Sequence, residues 1–370
     1  MTPLQVGIVG CGVVGAAIAY ELSGQLNLAV TVVDQRSPEQ WHSTGAALGV
    51  LIGALSQKLK GRHLQLRWDS LKRYETLIPE LVALTGEAIP YNRLGILELC
   101  FDPADWQRWQ QVATVRQLQG FDLQLLSREQ VAERYPEVGL ARSLVGSGLT
   151  IGGVCSLRDR QVDPVALTQA LIQAAQLRGA NVQFQTQVER IGNNQGQVQT
   201  LYTSQGSIPV DWLVVAAGLG STPLTVQLQS PVEIRPVLGQ ALHLRRPTPL
   251  DSPRPVIQAE DVHLVPLNAW DLWVGATVEF AEAGGLVADA ARLEQVRQQA
   301  IALCPDLATA QVIRSWSGLR PRPEGRSAPV VEPLNGYENV LLATGHYRNG
   351  VLLAPITALK VLDWIRAATA

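Results

Sequence analysis

The first twenty residues contain no charged side chain, so they lack the basic n-region that a secretory signal peptide needs. Charge is scarce throughout: 17% of residues are charged, the formal net charge is −2, and the basic residues are scattered. That leaves no basic stripe for a phosphate backbone, so nucleic acid is not an expected partner. Only four cysteines occur, Cys11, Cys100, Cys155 and Cys304, and they show no paired spacing. They read as reduced thiols of a cytoplasmic protein, not as a disulfide framework. The five histidines do not cluster with them, which argues against a zinc site, and no metal is expected. Internal repeats, low-complexity tracts and long linkers are also missing. What is there is 46% apolar content over 370 residues, enough for about two globular domains.

Glycine marks both ends of the chain. Residues 4–9 form a short apolar strand, followed by Gly10-Cys11-Gly12-Val13-Val14-Gly15, an Ala-rich helix, and a second strand over 29–33 that ends at Asp34. This is the βαβ dinucleotide fingerprint. Gly10 permits the tight turn, Gly12 lets a pyrophosphate approach the backbone, and Gly15 lets the helix pack on the strand. Asp34 is placed to accept hydrogen bonds from ribose hydroxyls, which disfavours a 2′-phosphate. The motif alone does not separate NAD from FAD. At the other end, a buried strand over 339–344 runs into Gly345-His346-Tyr347-Arg348-Asn349-Gly350 and then a helix to about residue 367. A second glycine loop at a helix N-terminus is a second place where backbone N–H groups can meet an anion.

Between these ends, Asp163 and Pro164 are the N-cap and first residue of a helix that Gly179 stops. The apolar run over 210–218 suits a buried parallel strand that ends at small residues. The segment Ser43-Thr44-Gly45-Ala46-Ala47-Leu48-Gly49 reads equally as a loop pressed on a ligand or a plain loop entering a helix. Residues 81–150 and 231–315 break the βαβ rhythm, the latter with short strands at 232–236, 240–244, 263–265 and 272–275. Pro-rich stretches at 246–255 and 321–329 read as loops. The expected fold class is therefore α/β, α+β overall: a Rossmann-like domain of residues 1–80, 151–230 and 316–370, with an inserted, mainly antiparallel β domain of residues 81–150 and 231–315.

Taken together, these segments resemble the D-amino-acid-oxidase family of FAD-dependent amine oxidases, and within it the glycine-oxidase branch of thiamine biosynthesis. The resemblance runs in order through residues 10–15, Asp34, residues 43–49, Val162-Asp163-Pro164, Val188 and residues 214–218. It continues through Arg235-Pro236-Val237-Leu238-Gly239-Gln240, Val274-Gly275-Ala276-Thr277-Val278-Glu279 and Ser317-Gly318-Leu319-Arg320-Pro321, and closes with residues 345–355. It implies FAD held noncovalently, since no cysteine follows Cys304, with the flavin ring between the two domains. It also implies hydride transfer from the substrate Cα to flavin N5. The imine then hydrolyses to a 2-oxo acid and ammonia, and oxygen is reduced to hydrogen peroxide. The flavin drives such chemistry, so no catalytic side chain is expected.

The resemblance assigns the residues as follows. Cofactor contacts are expected from Gly10, Gly12, Val13, Val14, Gly15, Asp34, Gln35, Arg36, Ser43, Thr44, Ala46, Ala47 and Gly49, and from Val188, Ala217 and Gly218. At the flavin end come His346, Tyr347, Arg348, Asn349, Gly350, Val351 and Leu352, with the N–H groups of Asn349, Gly350 and Val351 set to stabilise a reduced, anionic flavin. Arg320 is expected to grip the substrate carboxylate through its fork of donors, with Arg348 and His263 beside it. His263 departs from the branch, whose members carry Tyr there, and leaves the amine open. Three readings follow: an oxidase acting on glycine or another small amine or D-amino acid, a dehydrogenase of the same fold that passes electrons to a quinone or carrier, and a flavoprotein partner without turnover. An NAD-dependent dehydrogenase would leave the second glycine loop without a role. The expected partners are a small amine or amino acid, oxygen or another acceptor, a further copy of the chain, and a thiamine-pathway protein.

Overall fold

The computed structural model describes residues 2–139, 149–281 and 285–369. Its first layer is a six-stranded sheet in the order Val330–Pro333, Val340–Thr344, Trp212–Val215, Leu4–Val9, Leu28–Val33, Asn181–Gln183. Every neighbouring pair is parallel except the first. The central strands Leu4–Val9, Trp212–Val215 and Val340–Thr344 are mostly apolar because both faces are covered. On one face, helix Val13–Ser23 lies between helices Pro164–Leu177 and Gly350–Thr369. Ala16, Ala17, Ala19 and Gly15 keep that central helix slim enough to sit flush on the sheet, and it is buried nearly all round. Asp163 caps the second helix through Val165 and Ala166 N–H, both at 2.9 Å, as its position before Pro164 requires.

The second layer is an eight-stranded sheet in the order Gln311–Pro323, Ile234–Arg245, Asp271–Gly275, Val262–Pro266, Val256–Ala259, Ile96–Cys100, Gly152–Ser156, Leu123–Ser127. All its pairs are antiparallel except Val256–Ala259 with Ile96–Cys100. One face buries Leu97, Leu242, Ile257, Leu264 and Val274 against helix Ala290–Leu303. The other face packs Ile96, Val154, Val256 and Val265 on Ala54 and Leu55. Strands of this sheet run on to residues 156 and 323, past the expected limits at 150 and 315.

Two local expectations are corrected. The strands read at 232–236 and 240–244 are one strand, Ile234–Arg245, continuous through Pro236 and Gly239. Residues 321–323, read as loop, are the end of edge strand Gln311–Pro323. A proline is tolerated there because an edge strand needs no ladder donor on its open side. Among the described residues no helix is long and apolar enough to cross a membrane, and no His/Cys/Asp/Glu group could hold a metal ion. All four cysteines are free and buried.

Candidate active site

Three adjacent parallel strands end at one edge of the first sheet, and each opens into a glycine loop: 10–12, 217–218 and 345–350. Asp34 follows the next strand along the same edge. In open parallel sheets this carboxyl edge is where ligands bind.

The three fingerprint glycines have different surroundings. Gly10 has φ +103°, and a Cβ there would lie 2.6 Å from the Ala216 carbonyl oxygen. A Cβ on Gly15 would lie 1.9 Å from the Gly10 carbonyl oxygen. Protein thus fills the space at both. At Gly12 a Cβ would meet only Thr44 Oγ1, at 3.2 Å. The notch over Gly12 is left open, as a pyrophosphate requires. Thr44 Oγ1 accepts the Val13 N–H at 3.1 Å, and the buried Val13 and Val14 begin the helix.

Asp34 is already braced. Its carboxylate accepts from Cys11 N at 2.6 Å and from Arg36 N at 2.9 Å, and it pairs with the Arg36 guanidinium at 3.5 Å. Arg36 is buried between Trp41 and Phe184 and donates to the carbonyls of Cys11, Ser37 and Pro38. Its guanidinium is therefore spent on shaping the loop. Gln35 between them is exposed. Val188 packs beside Val9 and Val33 under the same edge, and Ala217 joins that cluster. Gly218 has φ +56°, and its carbonyl accepts from Thr344 Oγ1 at 3.2 Å, tying two of the glycine loops together.

The 43–49 segment joins the two layers. Helix His42–Ala46 lies on strand Gln311–Pro323 so closely that a Cβ on Gly318 would sit 2.1 Å from the Ala46 Cβ. Ser43 Oγ donates to Leu319 O at 2.6 Å, and Trp316 Nε1 donates to Ala46 O at 3.3 Å. Ala47 closes this short helix, its N–H on Thr44 O. Gly49, at φ +72°, would place a Cβ 1.8 Å from the Val162 carbonyl oxygen.

In the C-terminal loop, Gly345 and Tyr347 have φ of +65° and +53°. A left-handed tyrosine is uncommon, and such positions cluster at functional sites. The His346 ring turns inward, with Nε2 3.0 Å from Thr357 Oγ1, and burial pushes its pKa down to about 4. The Asn349 N–H is taken by His346 O at 3.0 Å and is therefore not free for the role expected of it. Pro355 has no N–H to offer the Val351 carbonyl one turn back. The Tyr74 hydroxyl supplies that donor, at 2.6 Å, and Ser70 Oγ donates to Leu352 O at 2.5 Å. Helix Arg62–Thr85 thereby fixes the first turn of Gly350–Thr369.

On the facing sheet, Arg320 lies across Gly239, where a Cβ would come within 2.2–2.3 Å of the guanidinium. Arg320 donates to Leu238 O at 3.0 Å and, among the described residues, has no ion pair. Burial and the charge of Arg348 hold its pKa below the ordinary arginine value. Arg348 is exposed and pairs with Asp261 at 3.5 Å. His263 is half-buried, and burial, then Arg348, push its pKa down to about 4, so it is neutral near pH 7. Around Gly239, Gln240 Nε2 donates to Glu279 Oε1 at 2.9 Å and Gln240 N donates to Thr277 Oγ1 at 2.8 Å, a brace for the strand.

Three residues of this region escaped the sequence reading. Asp159, fully buried, accepts the N–H groups of Gly53, Ala54 and Leu55 at 2.6–2.9 Å. Arg116, also buried, donates to the carbonyls of Ala54, Ser56 and Lys58 from the other side. The loop they clamp packs on the sheet face that carries Ile96, Val154, Val256 and Val265. Arg67 lies near Asp159 and Arg348, and burial lowers its pKa.

A dinucleotide edge, an open notch at Gly12, a second glycine loop at a helix N-terminus and, on the facing sheet, an arginine without an ion pair among the described residues together define a flavin-dependent oxidoreductase. The chain belongs to the family of FAD dependent oxidoreductases, whose model matches residues 5–364, and FAD is its cofactor. It is 33% identical, over 98% of its length, to the bifunctional protein ThiO/ThiG of Synechocystis sp., and it spans about half of that relative, 52%. It is 28% identical to the glycine oxidase of Bacillus subtilis, over 97% of this chain and 92% of that one. The crystal structure of glycine oxidase from Geobacillus kaustophilus superposes with a TM-score of 0.84 at 27% identity, covering 99% of this chain and 95% of that one. The iminodiacetate oxidase of Chelativorans sp. BNC1 shares the fold, with a TM-score of 0.83 at 23% identity over 98% of this chain and 95% of that one.

Proposed function

We propose that this chain oxidises the amine carbon of glycine or another small amino acid, with oxygen as the electron acceptor. The observation that carries this reading is Arg320: a half-buried guanidinium, without an ion pair among the described residues, held flat over Gly239, with Arg348 near both it and His263. A planar fork of donors in that state suits a carboxylate. Bound FAD supplies the electron acceptance. The chain's own residues orient the substrate. Arg320 fixes the carboxylate, Arg348 stands at the outer side where Asp261 holds it, and neutral His263 offers a hydrogen bond without a competing charge. The Gly350 end of the terminal helix would offer its positive dipole to a reduced, anionic flavin. FAD is held noncovalently. Cys304 lies in the far core with Leu303 and Leu307, which supports this.

The ThiO/ThiG relative joins its matched half to a second half, which supports a working partnership with a ThiG-like protein in thiamine biosynthesis. Four buried, unpaired cysteines suit a reducing cytoplasm. The test is peroxide release in air with glycine, sarcosine and D-alanine by the purified, FAD-loaded protein. Stoichiometric peroxide supports the reading. Substrate-driven reduction of a quinone analogue without peroxide rejects oxygen as the acceptor.

A further inference from the structure

A cleft of about 170 Å³ opens between the start of helix Arg62–Thr85, the first turns of helix Gly350–Thr369 and strand Val330–Pro333. None of the residues that line it is among those expected to touch the cofactor or the substrate. Part of its wall is apolar: Leu353 is buried, and Leu66, Val331 and Ile356 are half-buried. The polar part is basic. Arg62 and His63 are exposed and Lys360 is half-buried, and none of the three has a hydrogen bond or an ion pair among the described residues.

The charges in the cleft do not cancel. Its one acid, Glu332, is taken by Arg326 at 2.5 Å. Asp69 and Asp363 act on Lys360 from outside the lining. Burial, then the charge of Arg62, hold the Lys360 pKa below its ordinary value. Two cations therefore share one partly enclosed space without an anion between them, and an anion bound there would relieve both. The size is informative as well. A cavity of about 150 Å³ accepts a benzene ring, so this one has room for a single six-membered ring.

We propose that this cleft is an effector site for a small aromatic phosphate monoester. The ring lies on Leu66, Val331, Leu353 and Ile356, and the phosphate lies between Arg62 and Lys360. A phosphate monoester carries a charge of about −1.5 to −2 near neutral pH, which matches two unpaired cations better than the single charge of a carboxylate. The guanidinium fork of Arg62 suits its oxygens. The site also has a route to the flavin loop. Thr357 lines the cleft, and its Oγ1 lies 3.0 Å from Nε2 of His346 in the 345–350 loop. An occupant of the cleft thus meets the residue that holds the inward-turned His346 ring.

The test is isothermal titration of the FAD-loaded protein with phenyl phosphate and with inorganic phosphate, followed in parallel by the visible spectrum of the bound flavin. Phenyl phosphate should bind about tenfold or more tightly than inorganic phosphate, because only it buries a ring. Arg62→Gln and Lys360→Gln should each weaken it about tenfold. Arg320→Ala should bind it like the parent. Binding should shift the flavin spectrum, and Thr357→Val should keep the binding and lose the shift. No binding by the parent, equal affinity for the two phosphates, or affinity unchanged in both cleft variants overturns the proposal. Loss of binding in Arg320→Ala puts the probe in the substrate site and overturns it too. Binding that leaves the parent flavin spectrum unmoved overturns the effector role. None of these readouts needs turnover, so the proposal stands or falls apart from the amine-oxidation reading.

Discussion

The guanidinium of Arg320 rests on Gly239, in space that any side chain at 239 would occupy. The strand is continuous there, so the glycine serves the arginine and not a turn. Gly239→Ala should therefore act as a displaced-arginine variant: KM for the amino-acid substrate rises about tenfold, and the bound flavin spectrum is unchanged. Arg320→Ala should raise KM further, by about a hundredfold, the loss of a charged bidentate contact. Steady-state kinetics on both variants check this. Loss of flavin in place of a KM effect would place Arg320 in the cofactor site.

Tyr74 and Pro355 form a matched pair. The Tyr74 hydroxyl serves the Val351 carbonyl that Pro355 cannot reach. Tyr74→Phe leaves that carbonyl buried and unpaired, at a cost of about 1–3 kcal/mol. With Pro355→Ala in the background, the helix regains its own donor and the cost of Tyr74→Phe should shrink. Urea unfolding of the two single variants and the double variant measures the coupling. Strict additivity would show that the hydroxyl does not substitute for the missing N–H.

Gly12 and Gly15 separate cofactor binding from folding. Gly15→Ala drives a methyl to 1.9 Å from the Gly10 carbonyl oxygen and should destabilise apoprotein and holoprotein alike. Gly12→Ala meets only Thr44 Oγ1, at 3.2 Å, so the apoprotein should melt close to the parent. FAD affinity should nevertheless fall about tenfold or more, because the methyl fills the pyrophosphate notch. Flavin fluorescence titration together with thermal melts of the apoproteins distinguishes the two.

Acid should loosen the fold through His346 and His263. Both have folded pKa values of about 4, against an ordinary value of 6.5. Between those limits the unfolded chain binds more protons than the folded one. Stability is therefore full above about pH 6.5 and is lost as pH falls toward 4. For the deeply buried His346 the loss approaches about 3 kcal/mol. Glu98, at about 8, works the other way and erodes stability as pH rises from its unfolded value toward 8. His346→Gln should flatten the acid limb of a stability–pH curve measured by urea unfolding. An unchanged limb would show that His346 takes up a proton within the fold.

The parts of the molecule legible in the sequence are those where a local backbone demand selects the residue. Gly10 and Gly15 are required by close backbone approach, and Asp163 with Pro164 by helix capping. The 345–350 loop was legible as glycines between a buried strand and a helix, whereas Arg320 was singled out only through the family resemblance. What was illegible depends on the tertiary contact itself. The Asp159 and Arg116 clamp acts on one loop from sites more than fifty residues away in sequence. Pro236 and Gly239 read as breaks in a strand that runs straight through them, since the reason for Gly239 lies on the neighbouring strand. The guanidinium of Arg36, a residue the resemblance assigns to the cofactor, serves three backbone carbonyls, a loop-shaping role that only the tertiary contacts reveal.

The central claim, that this is an amino-acid-oxidising flavoenzyme with Arg320 as its carboxylate anchor, meets its most direct test in an anaerobic titration of the purified, FAD-loaded protein. Glycine, sarcosine, D-alanine and D-lysine are added in turn while the flavin absorbance is followed. The account predicts bleaching of the oxidised flavin by at least one of them, and a concentration dependence that shifts upward about a hundredfold in Arg320→Ala. A folded, FAD-loaded protein whose flavin stays oxidised with every amine, or an Arg320→Ala variant that titrates like the parent, would contradict it.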